Sequence, residues 1–412
     1  MTITHTSQTA INEAIRRDWK GHIERELKGN ILPFWIKHAV DEVNGGFYGA
    51  LTNDLRVLND VPRSAVVCAR ILWTFSTAYR VLGDADCLRV ARHAYDYLAQ
   101  RFWDSVYGGV YWALDYGGQP VNDRKHTYAQ AFAIYGLAEF YRTTREPESL
   151  RLAQELFRLV EMHTFDAVNG GNIECRSREW GALDDMRLSA RDMNCAKSMN
   201  TLLHLMEAYT NLMRVCDDAE LASRQADLIR AFFDHIVDAG TWHLKLFFDH
   251  EWRSLSDIVS FGHDIEASWL LVEAAEVLGQ PDVLAQARET AVQMAQAVYE
   301  QGRDVDGSLL YEAMPHRINC DKHWWVQAEG VVGFYNAYEL SSQAHFAQAA
   351  VRLWEYIVER FVDRTHGDWF KVLNRAGAPY AEQFKVGPWE CPYHHSRLCL
   401  EMMARLNEKT RA

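Results

Sequence analysis

The 412-residue chain carries eight cysteines (Cys68, Cys87, Cys175, Cys195, Cys216, Cys320, Cys391, Cys399) but no C-x-x-C pair. That absence removes zinc knuckles and dithiol redox motifs from consideration. The scattered cysteines read as thiols of a reducing compartment. No apolar run reaches the ~18 residues needed to span a bilayer. The opening residues, MTITHTSQTA, have neither the basic start nor the apolar centre of a secretory signal. A cytoplasmic protein that does not engage membranes is the expectation. Positive charge is in short supply: 43 Lys and Arg against 56 Asp and Glu leave a net charge of −13. Such a surface repels polyanions, which excludes a nucleic-acid partner. G-x-x-x-x-G-K-[ST], G-x-G-x-x-G and H-E-x-x-H are all missing. A P-loop, a dinucleotide fingerprint and a zincin centre are thereby excluded, and neither a metal nor another cofactor is expected.

What the chain has is apolar bulk and aromatic rings. Hydrophobic residues make up 48% and charged residues 24%, a globular balance that rules out extended disorder. The 14 Trp, 18 Tyr and 18 Phe fit a large core, and they equally fit flat faces for the C–H surfaces of a sugar. Glycine and aromatic clusters recur at Gly45-Gly46-Phe47-Tyr48, Gly108-Gly109-Val110-Tyr111, Gly170-Gly171-Asn172-Ile173, Trp242-His243-Leu244, Gly307-Ser308-Leu309-Leu310 and Gly367-Asp368-Trp369-Phe370. Their spacings are 63, 62, 72, 65 and 60 residues, so six similar units fill the chain. Several clusters run into alternating stretches closed by a turn, as Val110 to Tyr116 does before Gly117-Gly118, which is hairpin grammar.

Between clusters lie paired stretches with apolar residues at i, i+3, i+4 and i+7. Helices are expected at 9–38, 62–82, 86–102, 126–143, 147–163, 194–216, 219–239, 261–278, 281–301, 322–341, 345–362 and 390–407. The first helix after each hairpin is apolar all round and so belongs inside; its partner carries a polar stripe and belongs outside. Six inner helices ringed by six outer ones make an all-α (α/α)6 barrel with short β-hairpins at one end, one catalytic domain over 1–412. An open α-solenoid is the competing arrangement.

Closure brings the first turns of the inner helices to one funnel at the hairpin end. The residues there are polar: Arg70; His126, Tyr128 and Gln130; Asn200 and His204; His263 and Glu266; Trp324, Trp325 and Glu329; Trp389, His394 and Arg397. Buried helices rarely tolerate so many ionisable groups. Taken singly, each histidine reads as an ordinary core or capping residue, but six helices placing polar groups at the same point of a repeat do not. His263 and Glu266 are three apart on one helical face, a spacing that lets the carboxylate orient the imidazole. Asn200 and His204, four apart, share a face as well. His394 and His395 are adjacent and point in different directions, which argues against a metal site.

The segments Arg70-Ile71-Leu72-Trp73, His126-Thr127-Tyr128-Ala129-Gln130, Lys197-Ser198-Met199-Asn200-Thr201, Gly262-His263-Asp264-Ile265-Glu266, Trp324-Trp325-Val326-Gln327-Ala328-Glu329 and Gly387-Pro388-Trp389-Glu390-Cys391-Pro392-Tyr393-His394 closely resemble, in order, the cellobiose 2-epimerases of the N-acylglucosamine 2-epimerase superfamily. The resemblance implies an (α/α)6 barrel and reversible inversion at C2 of a reducing-end aldose without a cofactor. It places the catalytic histidines at His263 and His394, with Arg70 and His204 beside them. Asn200 falls where substrate is oriented, Trp325 and Trp389 where the sugar stacks, and Asp192 at the acidic loop position. The chain departs from the family's usual residues at Leu202 and Val326. These departures leave the preferred sugar open, with free mannose or an aldose–ketose exchange as alternatives.

Inverting C2 requires an opened ring, a base for a weakly acidic proton and stabilisation of an enediolate. Two imidazoles supply proton transfer near neutral pH. Arg70 and His204 would donate to the oxygens where charge develops, while Tyr128, Glu266 and Glu329 complete the sugar-binding surface. A glycoside hydrolase on the same barrel would instead use Glu266 and Glu329 across a glycosidic bond. A non-catalytic sugar-binding protein would explain the tryptophans but not the two histidines.

Overall fold

The computed structural model describes residues 19–407. A helix over 19–39 (α1) opens this span. It is followed by α2 Ala65–Leu82, α3 Ala85–Tyr97, α4 Thr127–Thr144, α5 Pro147–Thr164, α6 Met199–Met213, α7 Ala219–Ala231, α8 Phe261–Leu278, α9 Pro281–Ala297, α10 Trp324–Ser341, α11 Ala344–Tyr356 and α12 Tyr393–Asn407. The part of the first expected helix before residue 19 lies outside the described residues. Four helices start two or more residues later than the periodicity suggests, at Ala65, Met199, Trp324 and Tyr393. In three of these cases the preceding residues pair as strands (Arg63–Ser64, Lys197–Ser198, Lys322–His323) and so belong to the hairpin layer.

The even-numbered helices are buried on nearly every face: in α2 every side chain from Ala65 to Ala78 is buried. This helix is long and apolar enough to cross a membrane, yet 78% of it is buried inside the fold. In α3, Cys87, Val90, Ala91 and Ala94 form one buried stripe against exposed Asp86 and Arg89. That amphipathic pattern marks an outer helix. Ser64 and Ser198 cap α2 and α6 by accepting from the Val67 and Thr201 amides, and Gly83 ends α2 at φ 72°.

Each inner helix packs on the next, α2 on α4, α4 on α6, α6 on α8, α8 on α10, α10 on α12, and α12 returns to α2. The inner ring is closed. Each odd-numbered helix from α3 to α11 packs against the inner helix before it, and the middle of α1, Leu27–Ile31, packs on α12. Inner helices approach very closely at Gly333, where a Cβ would stand 2.6 Å from the Ile265 carbonyl oxygen. Any other residue there would push α10 away from α8.

A rim of two-stranded seams runs round one end. The residues entering each inner helix pair with the hairpin of the next unit: Arg63–Ser64 with Ala113–Leu114, Lys125–His126 with Cys175–Arg176, Lys197–Ser198 with Phe247–Phe248, Val259–Ser260 with Glu312–Ala313, Lys322–His323 with Val372–Leu373. The last seam joins Phe384–Val386 back to Leu51–Thr52, so the rim closes as the helices do.

Candidate active site

Because every inner helix leaves this rim at its N-terminus, the first turns of all six face one another. Among them is the guanidinium of Arg397 on α12, 1% exposed. It pairs with Glu207 of α6, Glu266 of α8 and Glu329 of α10, the last at 2.7 Å. Glu329 also accepts from the Trp269 indole at 3.1 Å. Two of these carboxylates carry an imidazole. Glu329 holds Nδ1 of His394 at 2.8 Å, and Glu207 holds Nδ1 of His204 at 2.8 Å. Both bonds fix the ring and leave Nε2 for other work.

His263 is arranged differently from the sequence expectation. Its Nδ1 lies 2.7 Å from Ser260 Oγ, at the entry to α8, and not on Glu266. Glu266 turns to Arg397 and stands 3.8 Å from Nδ1 of His394. Helical spacing made the His263–Glu266 pair possible, but a buried carboxylate goes to the nearest buried cation. Trp325 lies between the two histidines, its ring 4.8 Å from His263 and 5.6 Å from His394.

On the facing wall, Arg70 donates to the Tyr128 hydroxyl at 2.8 Å and lies 4.2 Å over the Phe132 ring and 5.0 Å over Tyr393. Tyr128 stands 5.1 Å from His204 and 6.0 Å from Trp389, and Trp389 is 6.1 Å from Trp112. Asn200 sits in the first turn of α6 with its buried Oδ1 unpartnered. Asp192 lies on the loop before α6, accepting from Ser189 at 2.6 Å. Its charge is felt by Glu174, Tyr311 and Glu312.

Two residues from the convergent set have other duties. Gln130 spans the Val110 backbone, accepting from its amide and donating to its carbonyl at 2.8 Å each, so it anchors a hairpin. His126 accepts from the Tyr128 amide at 3.3 Å and caps α4. His395 points away from His394 to Asp368 at 2.7 Å. Glu207, Ser260 and Tyr393 are the groups that sequence reasoning passed over. Glu207 lies one turn below His204 and reads in sequence like any helical glutamate; the i, i+3 spacing was its only signal.

Burial sets the electrostatics. It pushes His263 down to about 3, helped by His204 and Arg70. It also holds His394 well below the usual imidazole range, with Arg70 and Arg397 adding to the effect. Both resting imidazoles are therefore neutral. Burial and then the charge of Glu329 push Glu266 up to about 7. Burial opposes ionisation of Glu207 as well, yet Arg397 and the His204 hydrogen bond outweigh it and hold this carboxyl at about 2. The donor atoms of Glu266, Glu329 and His394 lie within 4.8 Å of one another, a spacing that would suit a metal. Arg397 already engages both carboxylates, so the guanidinium supplies the cation there.

The expectation of a single opening needs correction. A cavity of about 1090 Å³ lies at the other end, among the C-terminal turns of the inner helices. It reaches up to Trp73, Trp269 and Arg397, directly beneath the histidines. At the hairpin end Trp112 and Trp389 pack edge to face, and Trp325 lies beside His263 and His394, all three indoles half-buried.

The closed helical barrel thus gathers at its first turns two neutral imidazoles, a buried arginine and edge-on indole rings. The profile of the N-acylglucosamine 2-epimerase (GlcNAc 2-epimerase) family matches residues 46–397. The chain is 45% identical to a cellobiose 2-epimerase of Bacteroides fragilis over 93% of its length and 98% of the relative's. It is 39% identical to one of Ruminococcus albus, again covering 93% and 98%. A solved cellobiose 2-epimerase from Bacillus thermoamylovorans superposes with a TM-score of 0.91 at 40% identity, covering 94% of this chain and all of that one. The chain belongs to the N-acylglucosamine 2-epimerase family, and it is an isomerase.

Proposed function

We propose that this enzyme, a single (α/α)6-barrel domain, inverts C2 of the reducing-end glucose or mannose of a cellobiose-like disaccharide without a cofactor. The observation that carries the reading is the pair of imidazoles flanking Trp325, His263 and His394, each tied down through Nδ1 by a different partner. The likeness to cellobiose 2-epimerases at 45% and 39% identity supports the substrate class.

The reducing ring lies on Trp325 and opens to the aldehyde. One imidazole takes the C2 proton through Nε2, and the other returns a proton to the opposite face. Each is base in one direction and acid in the other, as reversibility requires. Negative charge on O1 and O2 of the enediolate faces Arg70 and His204, donors fixed in advance by Tyr128 and Glu207. Tyr128, Asn200, Glu266 and Glu329 hold hydroxyls of the reacting ring. Trp389 and Asp192 receive the second sugar nearer the mouth.

Product formed from cellobiose in heavy water tests the scheme. Deuterium at C2 of the glucosyl-mannose product is expected, because the captured proton exchanges with solvent before the opposite face is protonated. Epimerised product without label would refute proton transfer between two histidines, and release of free glucose would identify a hydrolase instead.

A further inference from the structure

Three carboxylates, Glu207, Glu266 and Glu329, are each at most 3% exposed and converge on one guanidinium, Arg397. The second cation within reach is Arg70 of α2, which feels the charge of Glu266 but donates to Tyr128 and faces Cys391. Three negative charges against two positive ones leave the buried cluster one proton short of neutrality. An uncompensated buried charge is costly, so the cluster retains that proton. Glu266 and Glu329 face each other across His394, whose Nδ1 is 2.8 Å from one and 3.8 Å from the other. The proton therefore has three adjacent seats on three helices.

We propose that Arg397 is a positioning residue for the epimerisation. By clamping Glu207, Glu266 and Glu329 it aims His204 and His394 and fixes at one, at rest, the number of protons that Glu266, Glu329 and His394 share beyond the single N–H of the neutral imidazole. When His394 takes a proton from C2 at Nε2, its Nδ1 proton passes to Glu329, and the imidazole is neutral again. On the return step the proton moves back. The inference rests on the function proposed above. Arg397 touches no reacting atom; it acts through the groups it holds.

The groups facing this cluster come from every inner helix. Arg70 stands on α2 and Tyr128 and Tyr135 on α4. His204 stands on α6 and His263 on α8. On α12, Tyr393 and Arg397 pair with Glu207, His395 lies beside His394, and Glu401 lies within electrostatic reach of Arg397. Just ahead of that helix, Cys391 faces Arg70. Of these, Arg397 alone contacts all three carboxylates.

Three variants test the proposal. Arg397→Met removes a positive charge beside His394, which favours protonated imidazole and raises its pKa. A base must be unprotonated, so the acid limb of the kcat/KM profile for cellobiose should move up by about 1–3 pH units, with kcat down ~100-fold or more. Arg397→Lys keeps the charge and should hold the limb within half a unit of wild type, while losing kcat through the missing fork. The double variant Arg397→Met with Glu207→Gln restores the charge count and should return the limb towards wild type even if kcat stays low. It also covers the case in which Arg397→Met alone does not fold. Titration of the histidine ¹⁵N resonances reads the same shift without turnover, so a failure of the proposed reaction is distinguishable from a failure of this inference. Equal losses of kcat and thermal stability in all three variants, with acid limb and imidazole titration unmoved, would reduce Arg397 to a structural residue and overturn the proposal.

Discussion

His263 and His394 differ in what steadies them, and that difference predicts how each responds to substitution. His394 is held by a carboxylate that is itself clamped, whereas His263 has only the Ser260 hydroxyl at the mouth of its helix. His263→Asn and His394→Asn should each lower kcat for cellobiose epimerisation by ~10²–10⁴-fold while leaving cellobiose affinity within a few-fold, measured by calorimetry. Either variant retaining more than about a tenth of wild-type rate would remove that histidine from the reaction. The sequence made these residues legible because they occupy the same point of a sixfold repeat. It did not make their partners legible. Glu266 sits three residues from His263, but its cation, Arg397, is 131 residues away, and spacing along one helix carries no trace of a contact across the ring. Glu207 and Ser260 were hidden for a related reason: each acts one turn from a histidine, where a helical polar residue has many ordinary explanations.

One device recurs at the level of the element. An aspartate at the start of each hairpin accepts from nearby amides and then pairs with the basic residue entering the next inner helix. The pairs are Asp41 with Arg63, Asp104 with Lys125, Asp166 with Lys197, Asp304 with Lys322 and Asp363 with Lys385. The fourth unit departs from this pattern. Val259 stands at the basic position and the cation Asp238 reaches is half-buried Lys245 at 3.7 Å, so His243 of the hairpin bonds Asp264 of α8 at 2.7 Å in its place. Lysines just ahead of a helix look like solvent-facing residues in sequence, yet Lys125, Lys197, Lys322 and Lys385 are fully buried as side chains. Removing one partner strands a buried charge. Lys385→Met should therefore destabilise the protein by ~3–5 kcal/mol in urea unfolding, and Lys385→Met with Asp363→Leu should recover most of it. A single variant costing under ~1 kcal/mol would show that the seam is not held electrostatically. The same pairs predict the acid response. Burial works against ionisation of Asp304, but Lys322 and backbone donors hold its carboxyl down at about 2. Its stabilising contribution is complete above the ordinary aspartate range and is lost as pH falls from about 4 through about 2.

Across the whole molecule, no unit holds a complete site. Arg70 comes from α2, Tyr128 from α4, His204 from α6, His263 from α8, Trp325 and Glu329 from α10, and His394 from α12. The six-unit count was readable from the glycine and aromatic periods, but closure was not, since an open solenoid has the same period. Two contacts far apart in sequence close the ring: α12 against α2, and Phe384–Val386 against Leu51–Thr52. In an open array each unit meets only its neighbours and can fray from an end. In a closed ring, loss of any one unit exposes the flanks of two others and withdraws a group from the site. Urea unfolding should accordingly show one transition in which helical circular dichroism, tryptophan fluorescence and epimerase activity vanish at the same midpoint. Weakening the closing seam, with Leu51→Asp facing buried Val386, should shift all three signals together to lower urea. Activity lost well before helicity, in either protein, would mean that the units fray independently and that the proposed catalytic groups do not depend on closure for their placement.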